Sequence, residues 1–132
     1  MEFESLKAYQ KAVHAYHIID DKVLLCKDIK PSTRDQLQRA SQSIVLNIAE
    51  GSSRPTFKAK NYFYNISRGS SYECSAILDL ISNKIEKSLY TYLKQLFEEI
   101  SKILYALIKK NEEKDKSNFD FNGNIFIDRR FQ

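Results

Sequence analysis

Apolar residues recur every three or four positions through four long stretches of this chain, and little interrupts them. Only 3 Gly and 2 Pro occur in 132 residues, a composition that argues against a multi-turn β architecture and for long helices. In the first stretch Phe3, Leu6, Tyr9, Val13, Tyr16, Ile19, Val23 and Cys26 share one helical face, which predicts a helix from about Glu2 to Lys27. The segment "DIKPSTRDQ" breaks it, because Lys30 precedes Pro31 and is biased away from helix. Thr33 and Gln36 have the spacing of a capping box, so a second helix is expected from near Arg34.

The second helix carries Leu37, Ala40, Ile44 and Ile48 as its stripe. Gly51 is placed to stop it in a left-handed conformation, and Pro55 blocks a simple continuation. A third helix is expected from near Thr56 to about Lys87, with Ala59, Tyr62/Phe63, Ile66, Ser70, Glu73, Ile77 and Leu80/Ile81 facing inward. Ser88 can cap a fourth, whose stripe is Leu89, Leu93, Leu96, Phe97, Ile100, Ile103, Leu104 and Leu107. On its wet face Glu98 and Lys102 stand in the favourable i,i+4 order. Four amphipathic helices with short connections predict an all-α fold, an antiparallel up-down-up-down four-helix bundle over residues 1–110. From Asn111 the periodicity stops, and residues 111–132 read as a tail. In it "NEEKDKSN" is a solvated linker, and "FDFNGNIFI" alternates around Asn122-Gly123 as in a small hairpin, too small to be stable alone.

The stretch "SIVLNIAEGSSR" is apolar on more than one side. Val45 and Leu46 point away from the Ile44/Ile48 stripe, and a helix that is apolar all round is buried all round. Another subunit is the economical cover, so Val45, Leu46 and the small Ala49 are expected at a homo-oligomer interface. Asn47 and Glu50 flank this seam, while Ser70 and Glu73 fall inside the third stripe. These four are read as a buried polar network fixing helix register, since a carboxylate in an apolar stripe must be paired, hydrogen-bonded or protonated.

Chemistry finds little support. A di-iron bundle needs Glu-x-x-His pairs, and neither Glu50 nor Glu73 has a His three residues on; His14 and His17 stand together on the first helix without further ligands. There is no Gly-rich phosphate loop, zinc set or nucleophile elbow. The expectation is no enzyme, no metal and no cofactor. Cys26 and Cys74 lack metal-ligand spacing and read as reduced core thiols of a cytoplasmic protein. The N-terminus has no apolar core of a secretory signal, and no run is long enough for a membrane span.

The net charge is +4, from 21 Lys+Arg against 17 Asp+Glu. Between Pro31 and Lys60 five basic residues face two acidic ones. Arg34, Arg39, Arg54, Lys58, Lys60 and Arg68 are therefore the candidate phosphate contacts of a nucleic-acid surface around the corner between helices two and three. Repeated by a symmetric oligomer, they would form a ring of positive charge.

The segments "QLQRASQSIVLNIAEGSSR" and "KNYFYNISRGSSYECSAILDL" resemble the four-helix-bundle family named after the 23S rRNA intervening-sequence protein, a group that also holds the accessory variability determinant of diversity-generating retroelements. The match rests on Arg39, Ser43, Ile44, Asn47, Ile48, Ala49, Glu50 and Gly51, then Phe63, Gly69, Ser70 and Glu73, with Phe3, Leu6 and Lys11-Ala12 resembling the N-terminal signature. It covers roughly Phe3 to Lys110. The resemblance implies a bacterial, ring-shaped homopentamer and, in the retroelement members, a basic surface that binds nucleic acid and a partner reverse transcriptase. The leading expectation is thus a non-enzymatic oligomer that binds RNA or DNA, or a nucleic-acid enzyme. The alternative is a structural or protein-binding oligomer with no nucleic-acid role.

Overall fold

The computed structural model describes residues 1–117; the expected hairpin lies outside them. The described chain is all helical: α1 Phe3–Ile18, continued by a π-helical turn at Ile19–Val23, then α2 Pro31–Ser53, α3 Phe57–Leu80 and α4 Lys87–Ser117. Each helix packs on two neighbours, α1 on α2 and α4, α3 on α2 and α4. Side-chain pairs that run in opposite chain directions make the neighbours antiparallel: Lys11 with Glu99 and Lys110 with Glu4 between α1 and α4, Ser67 with Ile44 and Lys60 with Ser52 between α3 and α2. This is the up-down-up-down bundle the periodicity predicts.

The α2 and α4 stripes are as expected. Leu37, Ala40, Ile44 and Ile48 are buried on α2, and Leu93, Leu96, Phe97, Ile100, Leu104 and Leu107 on α4. The α1 and α3 faces are not. On α1 the buried face is Ser5, Ala8, Ala12 and Ala15, joined through the π turn by Ile19 and Val23, while Phe3 is 76% exposed. Small side chains let α1 lie close to its neighbours, and the bulky ones flank the contact. The π turn, closed by Leu24 N–H donating to the Ile19 carbonyl at 2.9 Å, adds a residue to the last turn. On α3 the core face is Tyr64, Ser67, Ser70, Ser71, Cys74, Ile77 and Leu78. The expected stripe is rotated from it in part: Ser70, Ile77 and Ile81 are buried as expected, whereas Tyr62, Ile66, Glu73 and Leu80 are exposed.

Three boundaries differ for physical reasons, besides the end of α3, which comes at Leu80 rather than about Lys87. Helix α2 starts at Pro31, whose missing N–H suits the first helical position, so Thr33 is inside the helix and caps nothing. Helix α4 starts one residue before Ser88 and runs seven residues past Lys110, because Glu and Lys are good helix formers. Asn111 there is buried, its Nδ2 donating to Asn61 Oδ1 at 2.9 Å, while Asn61 Nδ2 donates to the Ile108 carbonyl at 3.0 Å. Thr56 does cap α3, its hydroxyl accepting from Ala59 N–H at 3.1 Å.

Gly51 is the third. It does not end α2, which continues to Ser53. It is buried against α3, where a Cβ would lie 2.6 and 2.8 Å from Tyr64 ring carbons and 3.0 Å from the Lys60 carbonyl oxygen. Tyr64 is itself buried, and burial pushes its phenol up to about 12. Gly69, also helical, has open space where its Cβ would be. These two glycines make a matched test. Gly51→Ala should lose about 1–3 kcal/mol through overlap with a ring that cannot swing away. Gly69→Ala should gain about 0.5–1 kcal/mol in helix propensity. Chemical denaturation of both should bracket the wild type; Gly51→Ala at or above wild-type stability would refute the close approach.

Candidate functional site

The α2–α3 seam is built from small polar side chains. Ser67 Oγ donates to the Ile44 carbonyl at 2.8 Å, and Ser70 Oγ donates to Ser43 Oγ at 2.9 Å. Asn47 Nδ2 donates to the Ser43 carbonyl at 2.9 Å and lies 3.0 Å from Ser43 Oγ. Of the four residues expected in a buried network, Asn47 and Ser70 therefore meet, through Ser43. Glu50 and Glu73 do not join them. Both are exposed on the single chain, and Glu50 pairs with Arg54 at 2.8 Å instead. The error on Glu73 follows from the rotated α3 stripe. Sequence reasoning left Ser43 and Ser67 out of the network; for Ser67 the i,i+3 and i,i+4 spacing with Ser70 and Ser71 was the available signal.

Of the expected interface residues, Leu46 is 54% exposed, Ala49 is half-buried, and Val45 is half-buried against its own core. Val45 thus finds cover within the chain. Leu46 does not. The seam contacts bring it level with Ile66, and Tyr62 and Ile66 stand one turn apart on the same exposed side of α3, with Leu80 farther along that side beyond exposed Glu73. Together they make an apolar stripe along the outer side of the α2–α3 pair.

The six basic candidates are spread more widely than one corner. Arg34 and Arg54 lie at opposite ends of α2, about 30 Å apart. The Arg34 guanidinium donates to the Cys26 carbonyl and ties the α1–α2 turn. Arg39 pairs with Asp35 at 3.2 Å. Lys60 Nζ donates to the Ser52 carbonyl at 3.1 Å. Arg54 lies 4.8 Å above the Phe63 ring while holding Glu50. Lys58 is exposed. Arg68 faces α4, where its guanidinium sits 4.8 Å from the Tyr105 ring and 5.3 Å from the Tyr72 ring. Arg54, Lys58 and Lys60 are thus the corner set, and Arg34 and Arg39 stand apart from it.

His14 Nε2 lies 3.0 Å from Tyr92 Oη, and among the described residues no three His, Cys, Asp or Glu side chains converge on a metal position. Cys26 and Cys74 are both free. Cys74 is buried, which pushes its thiol up, away from the reactive thiolate; Cys26 is half-buried at the end of the π turn. Among the described residues no helix is long and apolar enough to cross a membrane.

These features define a small antiparallel helical bundle with a polar inter-helix seam and, among the described residues, an exposed set of apolar side chains along its outer α2–α3 side. Residues 4–106 match the family described as 23S rRNA-intervening sequence protein, and the chain belongs to that family. No curated protein matches. A crystal structure from Bacteroides thetaiotaomicron, described as a protein with unknown function from the S23 ribosomal protein family, shares the fold at a TM-score of 0.62 and 22% identity, over 80% of this chain and 92% of that one. Neither description names a catalytic activity.

Asp79 closes the α3–α4 contact, accepting from Lys94 Nζ at 2.8 Å and from Tyr90 Oη at 2.6 Å. The Lys94 and Tyr90 hydrogen bonds hold its carboxyl below the usual range. A lowered folded pKa adds stability above the unfolded carboxylate value near ~4, and that stability is lost as pH falls through the lowered value. Asp79→Asn should flatten the acid limb of a stability–pH curve below about pH 4. An unchanged acid limb would show that the contact does not discriminate the ionised form.

Proposed function

We propose that this protein is a non-enzymatic module that assembles with copies of itself and binds nucleic acid through the cationic corner of α2 and α3. The observation that carries this reading is the outer side of that helix pair, where exposed apolar residues adjoin exposed Lys58 and the Glu50-paired Arg54. Leu46, Tyr62 and Ile66 are exposed, and Lys58 and Arg54 lie at the end of the same stripe. Exposed apolar residues that follow one another along a helix side mark an interaction site. Packing them against a second copy would bring two cationic corners into one field, which strengthens attraction to phosphates. The family description, 23S rRNA-intervening sequence protein, agrees with a nucleic-acid setting. Five copies in a ring is the arrangement this reading favours, and a nucleic-acid enzyme such as a reverse transcriptase is the protein partner it allows.

Sedimentation tests the assembly. At micromolar concentration the wild type should sediment as more than a monomer. Leu46→Glu should shift it toward the monomer with helicity unchanged, because the Ile44/Ile48 stripe inside the bundle is untouched. A monomeric wild type would end the assembly reading.

Gel shifts across salt concentrations test the ligand. Binding to RNA or DNA should weaken as salt rises, since each neutralised phosphate releases counterions. Arg54→Ala and Lys58→Ala should each flatten the log–log salt slope by about one unit. Binding absent at low salt would leave the alternative, a structural or protein-binding oligomer that uses the apolar stripe alone.

A further inference from the structure

An open groove of about 970 Å³ runs between α3 and α4, on a different side of α3 from the apolar stripe. Buried Ser71, Phe97 and Ser101 contribute to its lining. Tyr72 and Tyr105 stand beside it, 56% and 47% exposed. Arg68 lies between them, donating to Tyr72 Oη at 3.0 Å and stacked on both rings. Among the described residues Arg68 forms no ion pair, whereas Lys94 and Lys102, which also line the groove, are partly neutralised by Asp79 and Glu98. Arg68 is therefore the groove cation with charge to spare. Lys94 and Lys102 lie eight residues apart on one helix, a span of about 12 Å.

From this arrangement we infer that the α3–α4 groove binds an unpaired, single-stranded nucleic-acid segment, its bases stacking on Tyr72 and Tyr105 and its phosphates meeting Arg68, Lys94 and Lys102. This rests on the nucleic-acid reading above and adds to it a place and a form of ligand. Half-exposed aromatic rings interleaved with cations along a groove are what a single strand needs, since every free base offers a face to stack and every linkage a charge. A duplex has its bases already stacked and offers the rings nothing. The corner cations would contact phosphates of either form, whereas the groove selects the unpaired one.

The test is fluorescence anisotropy on the full chain with a labelled single strand of mixed sequence, about 12 nucleotides long and so within the range of one binding fold, in RNA and DNA form, and with the matching duplexes. Tyr105→Ala and Arg68→Gln should each weaken single-strand binding by about tenfold and leave duplex binding nearly unchanged. Tyr105→Phe, which keeps the stacking face, should bind as wild type. Tyr105 is half-exposed, so its truncation leaves the core in place, and circular dichroism checks this for both variants. The corner variants Arg54→Ala and Lys58→Ala should weaken single strand and duplex alike. Single-strand binding that survives both groove substitutions, or falls in step with duplex binding, overturns the groove site while the nucleic-acid reading stands; an acidic peptide as the groove's true occupant would give that result. A wild type that binds no strand of either kind overturns both.

Discussion

The approach of α3 onto α2 at Gly51 sets the geometry on which the rest of the molecule depends. With no side chain at Gly51, the Tyr64 ring and the Lys60 carbonyl come within the distance a Cβ would occupy. Helices this close favour small side chains along part of their contact, and beside the Tyr64 ring the seam is lined with Ser43, Ser67 and Ser70. A buried hydroxyl without a partner is costly. Here the hydroxyls use the facing helix, Ser67 taking a carbonyl of α2 and Ser70 taking Ser43. Such bonds fix register as well as distance, because a slip of one residue would leave each donor unpaired. That register brings Leu46 level with Ile66 and places Arg54 over Phe63.

The same physics explains which parts of the fold were legible in the sequence. Helices α2 and α4 put large branched residues into the core, so hydrophobic periodicity finds their inner faces directly. Helix α1 puts Ser and Ala there, and the middle of α3 puts Ser and Cys there. A search for the strongest apolar stripe then selects the flanks, as it does with Phe3 and Leu6 on α1 and with Tyr62 and Ile66 on α3. The spacing of Ser5, Ala8, Ala12 and Ala15 carried the correct face, but as a pattern of small residues rather than apolar ones. Glu73 falls outside the core for that reason, since the α3 stripe is partly rotated. Gly51 is hidden for another: its packing partner Tyr64 lies on a different helix, so its local sequence reads as a helix stop. The extension of α4 past Lys110 was hidden differently: its residues favour helix without being apolar, and propensity without periodicity gives no face to detect.

Composition likewise says less about partners than placement does. A net charge of +4 suggests a mild attraction to anions, yet much of the cationic charge is engaged within the chain. Arg34 ties a turn, Arg39 and Arg54 hold carboxylates, and Lys60 holds a carbonyl. Exposed ion pairs of this kind contribute little to stability, but they lower the local field that a ligand meets. What distinguishes one surface from another is then where a cation lacks a carboxylate, and on the α3–α4 side that residue is Arg68, held by aromatic rings.

The two surfaces are kept apart by the helix that carries both. On α3, Tyr72 borders the groove and Glu73 lies on the side of Ile66 and Leu80; consecutive helical residues point about 100° apart, as 3.6 residues per turn requires. A contact between copies along the apolar stripe would therefore cover Ile66 and leave Arg68, two residues on, facing α4. Because α4 continues well beyond the groove to Ser117, the groove's second wall does not depend on the helix end, and Tyr105 sits on an interior turn held by buried Leu104, Leu107 and Ile108. The helix thus carries the exposed apolar residues and the α3–α4 groove on different sides, and the α2–α3 seam sets where Leu46 stands beside the first.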